Sequence, residues 1–221
     1  EIAKQKKCEV TGISLSKNQI EYCTRKAKEL NLDNQVKFEL IDYREAKGKY
    51  DRIFSVGMFE HVGKKFYNKF FKSMNKLLKD DGIFLLHTIG VVDKPTPPNK
   101  FINKYIFPGG TCPSFSQIIT PIEKTGLIVC DAETLIRHYD KTLESWLERF
   151  MNKKNEVKDL FDEKFVKMWE YYMASCAAAF RYRDLVVFQL QIVKKFQSAH
   201  RTRDYIYLSL IHISEPTRPG H

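Results

Sequence analysis

Between Gly82 and Gly90 the chain reads Ile83-Phe-Leu-Leu-His-Thr-Ile89, an almost unbroken apolar run of strand length. A strand that is apolar on both sides needs cover on both faces, the situation of an interior strand in a sheet flanked by helices. Just before it, Phe66, Phe70, Met74 and Leu77 recur at helical spacing, and Lys65, Lys69, Lys72, Lys76 and Lys79 form a second, basic stripe. Asp80-Asp-Gly82 stops that helix. Further upstream, Lys7 to Ser14 reads as a strand and Ser16 as the N-cap of a helix carrying Ile20, Cys23, Ala27 and Leu30. Gln35 to Ile41 and Asp51 to Val56 are strand candidates separated by the polar stretch Arg44 to Lys49. Strand, helix, strand, strand, helix, strand predicts an α/β fold with a mostly parallel, Rossmann-like sheet and right-handed crossovers.

The second half is less regular. Val91 to Pro121 is rich in Pro, Gly and aromatics, which predicts an ordered insertion or helical lid. Amphipathic helices are expected over roughly Thr142 to Lys153 and Asp162 to Phe180, and Asp184 to Lys194 alternates as an antiparallel edge strand. The terminal Leu208 to His221 fits none of this; it resembles the conceptual translation of a sequencing adapter and is set outside the expected fold.

Composition excludes several classes. A chain of 221 residues with 43% hydrophobic side chains, 10 Gly and 8 Pro is neither disordered nor collagen-like. Its five cysteines, odd in number and without a Cys-x-x-Cys pair, fit free thiols in a reducing cytosol. Gly82 to Val92 is the longest apolar stretch, far short of the roughly 20 residues that cross a bilayer. Glu1 to Lys7 holds neither an initiator Met nor a signal core, so the chain is expected to be cut at its start and not secreted. The net charge of +10 is spread along the chain, which suits attraction to an anionic surface but not a dedicated nucleic-acid arm. His61, His87 and His138 lack metal-ligand spacing.

Ligands of such sheets sit beyond the carboxyl ends of the strands. That directs attention to Ser14 to Gln19, Asp42 to Arg44, Gly57 to His61 and His87 to Gly90. Glu60 can hold a base or steady a cation, or be half of an exposed turn pair. A lone histidine such as His87 in an apolar strand is a satisfied core residue unless a polar partner reaches it. Tyr139, in Arg137-His-Tyr-Asp-Lys-Thr142, reads as an interfacial aromatic just before a helix. Cys176 shares a helical face with Tyr172 and Trp169, where a free cysteine behaves as a small hydrophobe. The turn Ser14, Leu15, Ser16, Lys17, Asn18, Gln19 lacks the acid that usually reads a ribose there, and a helix cap explains it equally. Asp42 and Tyr43 are likewise explained by a turn.

Four separated segments carry a resemblance. Ser55-Val-Gly-Met-Phe-Glu-His-Val-Gly63, Leu85-Leu-His-Thr-Ile-Gly90, Asn103-Lys-Tyr-Ile-Phe-Pro108 and Ala174-Ser-Cys-Ala-Ala-Ala-Phe-Arg-Tyr-Arg-Asp184 together closely resemble the cyclopropane-fatty-acyl-phospholipid and mycolic acid cyclopropane synthases. The resemblance extends from about Glu1 to at least Lys194. It implies a class I, S-adenosylmethionine-dependent methyltransferase fold over residues 1–207. It implies an enzyme that builds a cyclopropane ring on the cis double bond of an unsaturated phospholipid acyl chain, in the cytoplasm at an anionic membrane surface, with a homodimer as a further partner state. Glu60, His87, Tyr139 and the main chain of Ile89 match a bicarbonate site, and Cys176 matches a functionally important cysteine. Ser14 to Gln19 match cofactor-binding positions, Asp42 and Tyr43 the adenine-contacting ones. The family's glycine-rich loop and the strand before it fall upstream of Glu1, so the sheet is expected to show unpaired edges. A methyltransferase of the same fold acting on another lipid or a soluble molecule, and a lipid-binding remnant without activity, are the rival readings.

Overall fold

The computed structural model describes residues 1–94 and 99–207, so the adapter-like tail lies outside the described residues. After a short helix α1 (Ile2–Lys6), the elements run β1 (Val10–Ser14), α2 (Lys17–Glu29), β2 (Val36–Leu40), β3 (Tyr50–Val56), α3 (Tyr67–Leu77) and β4 (Leu78–Val91). Then follow α4 (Lys100–Tyr105), α5 (Phe115–Glu123), β5 (Ile128–Leu135), α6 (His138–Asn152), α7 (Lys154–Leu160), α8 (Glu163–Tyr182), β6 (Leu185–Val193) and α9 (Asp204–Tyr207).

Ser16 caps α2 as expected, its Oγ accepting from Gln19 N. Five residues of α3 (Tyr67, Phe70, Phe71, Met74 and Leu77) are buried, whereas Phe66 sits in the preceding turn, half exposed. Of the lysine stripe, Lys69, Lys72 and Lys76 lie exposed on α3, while Lys79 belongs to β4 and pairs with Asp51.

β1 and β2 form one parallel ladder; β3, β4, β6 and β5 form a second sheet in that order. β3 and β4 are parallel, and β6 runs antiparallel to both β4 and β5. The antiparallel strand therefore lies one place in from the edge, and the edge itself is β5. Among the described residues no ladder joins β1 to β3, and Ile13, Phe54 and Val56 are 39%, 52% and 65% exposed. Contact between the two sheets runs instead through the turn after β2, where the Tyr43 ring meets Phe70 edge-on at 5.3 Å.

The four-stranded sheet is covered on both faces. On one, Phe84, Leu86, Phe188, Leu190 and Ile192 pack beneath α3 and α5. The expected insertion therefore divides: Ile118 and Ile122 of α5 are fully buried in this core, and a capping box of Ser114 and Gln117 starts the helix. On the other face, Val187 packs with Leu143 of α6 and Ala177 and Phe180 of α8, with Ile89, Tyr139 and Cys176 against them. α6 begins four residues earlier than the amphipathic pattern indicated, which puts Tyr139 in its first turn.

Candidate active site

Parallel pairing of β3 with β4 sets Val56 opposite His87, and Gly57 N donates to His87 O at 3.1 Å. Past Gly57, whose positive φ turns the chain, a short helical turn carries Phe59 to His61. Phe59 is anchored in the core by stacking on Tyr67, with ring centroids 4.3 Å apart. Its neighbour Glu60 is thereby buried, at 9% exposure. One carboxylate oxygen, Oε1, accepts from Ile89 N at 2.7 Å. The other, Oε2, is buried without a hydrogen-bond partner among the described groups. Such an oxygen costs about 1–3 kcal/mol or more until a donor reaches it.

The sheet face that carries Ile89 also gathers Tyr139 and Cys176. Burial raises the Tyr139 hydroxyl pKa, and the Glu60 carboxylate and Cys176 add to the effect. The Cys176 thiol is pushed up to about 11 by burial. Both groups thus remain protonated near neutrality, and Cys176 is a poor nucleophile. His87 lies on the same face two residues before Ile89, and its Nδ1 is 3.0 Å from Gln189 Nε2 on β6. The polar partner needed by a histidine in an apolar strand is therefore present.

Two participants escaped the sequence reading. Cys112 is pushed up to about 12, by burial first and then by Glu60, Cys176 and Asp184. Tyr172, also at about 12, responds to burial, then to Cys176 and Tyr139. The loop bearing Cys112 is tied to the Glu60 turn by Thr111 N donating to Glu60 O at 2.9 Å. It reaches α8 through Phe107, 5.9 Å from the Tyr172 ring. No local pattern marks Cys112; for Tyr172, the heptad-like spacing with Cys176 and Trp169 was the available signal.

At the ends of β1 and β2 the expected cofactor residues also meet. Ser14 Oγ donates to Gln19 Oε1 at 2.7 Å and accepts from Ser16 N at 3.1 Å. Leu15 is 73% exposed, and Lys17 and Asn18 are exposed beside it. Asp42 is fully engaged by Arg44, whose side-chain hydrogen bonds hold the carboxyl below its usual range. Tyr43 connects this end to the Glu60 turn through Phe70, which lies 5.1 Å from Phe59.

Residues 1–190 match the model of the mycolic acid cyclopropane synthetase family. The chain belongs to that family. Cyclopropane-fatty-acyl-phospholipid synthase of Escherichia coli is 40% identical over 181 residues, covering 82% of this chain and 46% of its own length. A probable fatty acid methyltransferase of Pseudomonas putida is 32% identical over 93% of this chain and 55% of its own. The chain thus spans about half the length of these curated relatives. The solved cyclopropane synthase MmaA2 from Mycobacterium tuberculosis superposes with a TM-score of 0.82 at 29% identity, over 86% of this chain and 72% of that one. Mycolic acid cyclopropane synthase CmaA1, solved with SAH and CTAB, gives 0.80 at 29% identity over the same shares.

In this cyclopropane synthetase family member, α6 and α8 are clamped together beside the cluster. Arg181 donates from Nε and Nη2 to the two oxygens of Asp140, at 2.9 and 2.6 Å, and also pairs with Glu144. The guanidinium holds the Asp140 carboxyl below its usual range. Because Asp140 adjoins Tyr139 and Arg181 adjoins Phe180, the clamp fixes the helix pair where the Tyr139 and Phe180 rings meet, 5.0 Å apart.

Proposed function

We propose that the full-length protein uses S-adenosylmethionine to convert the cis double bond of an unsaturated phospholipid acyl chain into a cyclopropane ring, with bicarbonate held at the Glu60 cluster. The single observation that carries this reading is Glu60 Oε2, buried without a partner among the described groups and within electrostatic reach of the protonated Tyr139 hydroxyl, in a chain of this family. A carboxylate that needs a donor, next to a hydroxyl that stays protonated, suits an anion that itself carries one O–H. Bicarbonate has that pattern: its O–H can donate to Glu60, and its other oxygens can accept from Tyr139 and His87. The main-chain N–H of Ile89 is already committed to Glu60, so its part is to orient the carboxylate.

When bound, S-adenosylmethionine supplies an electrophilic methyl and bicarbonate an acceptor for the proton released on ring closure. The chain's own groups do the rest. Glu60, oriented by Ile89, is placed to steady positive charge that develops on the reacting carbons. Cys176 contributes a small, uncharged side chain flanked by Ala177, Ala178 and Ala179, which lets an acyl chain approach closely. Buried Phe180 and half-buried Trp169 are suited to wall an acyl-chain pocket, with the exposed Phe107 and Tyr105 at its rim. At the strand ends, the Gln19 amide N–H₂ is left to donate to the nucleoside once its carbonyl has accepted from Ser14. Ser16 caps α2, and Leu15, Lys17 and Asn18 form the open side of that turn. Asp42, locked by Arg44, holds the turn that presents Tyr43 to the adenine.

The matching fatty acid methyltransferase favours a second product, a methyl-branched chain formed from the same early cation. Because the substrate is a membrane lipid, the protein works as a cytoplasmic, peripheral enzyme at an anionic surface; exposed Lys69, Lys72 and Lys76 on α3 are suited to that contact. The test is incubation of the full-length protein with methyl-labelled S-adenosylmethionine and unsaturated phospholipid vesicles, followed by mass spectrometry of the released fatty acids. A labelled cyclopropane acid supports the reading and a labelled branched acid the second one. Label appearing only in a soluble acceptor overturns both.

A further inference from the structure

We propose that Gln189 fixes the His87 imidazole as its Nε2–H tautomer, making the ring an obligatory hydrogen-bond donor toward the Glu60 cluster. This rests on the anion-site reading for its purpose, but not for its geometry. His87 and Gln189 are directly opposed in the antiparallel ladder of β4 and β6, so their side chains leave the sheet on the same face. Gln189 Nε2 lies 3.0 Å from His87 Nδ1. A carboxamide nitrogen only donates, so Nδ1 must offer its lone pair, and a neutral ring then carries its proton on Nε2.

On this face Gln189 stands at the boundary between an apolar half and a polar one, with Glu133 of β5 directly opposite it and Gln191 and Asp131 beyond. Leu185 and Val187 precede Gln189 at alternate positions of β6, and Ile89 follows His87 on β4. With Glu133 across the ladder on one side and His87 on the other, the half-buried Gln189 amide nitrogen is directed to the His87 ring. The same logic recurs in metal sites, where a partner on one imidazole nitrogen sets what the other can do. Here the consequence is selectivity. With Nε2–H donating, Tyr139 protonated and Glu60 Oε2 accepting, these three groups offer two donors and one acceptor. A mono-protonated oxyanion satisfies all three, whereas an aprotic one such as nitrate leaves Glu60 opposed by a second negative charge.

The experiment is long-range ¹H–¹⁵N correlation of the His87 ring in ¹⁵N-histidine-labelled full-length protein, in wild type, Gln189→Leu and Gln189→Glu. The inference expects the Nε2–H pattern in wild type, a mixture of tautomers in Gln189→Leu, and a protonated Nδ1 in Gln189→Glu, whose carboxylate accepts. A wild-type ring protonated on Nδ1 overturns it, as does an unchanged Nε2–H pattern in Gln189→Leu. Thermal stabilisation by bicarbonate, with nitrate as comparison, is read in parallel. Bicarbonate affinity is expected to weaken at least about 10-fold in Gln189→Glu, and Gln191→Glu, at a position bonded to Tyr205, serves as the neighbouring control. The expected tautomers without any bicarbonate effect in wild type support the Gln189 inference and overturn the anion reading alone.

Discussion

Glu60, in the turn after β3, and Ile89 on β4 are joined by a 2.7 Å bond from the Ile89 N–H to one carboxylate oxygen, which leaves the other buried and without a partner among the described groups. The tether gives the carboxylate an orientation without satisfying it. This division of labour within one side chain is what makes Glu60 the centre of the site.

In the full-length protein, Glu60→Gln keeps a carbonyl oxygen for Ile89 but turns the free acceptor into an N–H donor. Turnover on unsaturated phospholipid is expected to fall roughly 10²-fold or more, with S-adenosylhomocysteine affinity held within about threefold. Steady-state kinetics with titration calorimetry checks this. Equal losses in affinity and rate would remove Glu60 from the chemistry.

Cys176, at about 11, ionises far above the ordinary thiol value of about 8.5. Folding therefore favours the thiol, and the associated stability is complete below about pH 8.5 and is lost as pH rises toward the folded value. Cys176→Ala is expected to flatten the decline of Tm between about pH 8.5 and 10. In the native protein, alkylation of Cys176 at about pH 8 should run on the order of a hundredfold slower than after denaturation, as measured by peptide mass spectrometry.

Removing one end of the α6–α8 clamp leaves the other charge without its main partner. Asp140→Asn is expected to lower Tm by several degrees at neutral pH. Because Arg181 depresses the Asp140 carboxyl, its contribution is present above the unfolded value of about 3.9 and is lost as pH falls through the lower folded one. The gap between wild type and variant should therefore narrow in acid, a trend that thermal scans across pH will show or refute.

Gly90 leaves no room for a side chain. A Cβ there would stand 2.3 Å from Phe188 Cε2 and 2.6 Å from the Pro113 carbonyl oxygen, which already accepts from Val91 N. Gly90→Ala is expected to cost about 1–3 kcal/mol, read from denaturant unfolding. An unchanged midpoint would show that the loop before α5 yields freely.

The elements legible in the sequence are those whose signal is local. Ser16 announces α2 because its cap bond is made three residues away, and the Gly82 to Gly90 run announces β4 because both its faces are covered. β5 was not legible: Asp131 and Glu133 interrupt it, and an edge strand tolerates such residues where an interior one does not. Nor was α5, whose Pro121 and Pro/Gly-rich surroundings masked the Ser114 and Gln117 box that begins it. At the site, Glu60, Ile89, Tyr139 and Cys176 were named from motifs and are brought together by the fold. Cys112 and Gln189 were not, because each acquires its partner from a distant segment: Glu60 for one, His87 for the other.

Strand β6 has a consequence for how the molecule is made. Among the described residues it is the last strand, yet it stands between β4 and β5. On a ribosome, β5 emerges with no neighbour to pair with and waits until residues 185–193 have followed it. The face that gathers Ile89, Tyr139 and Cys176 is completed by that same late segment, so synthesis must run nearly to the end of the described chain before the candidate cluster has a floor. A stalled or shortened product therefore loses the site and the edge of the sheet in one event.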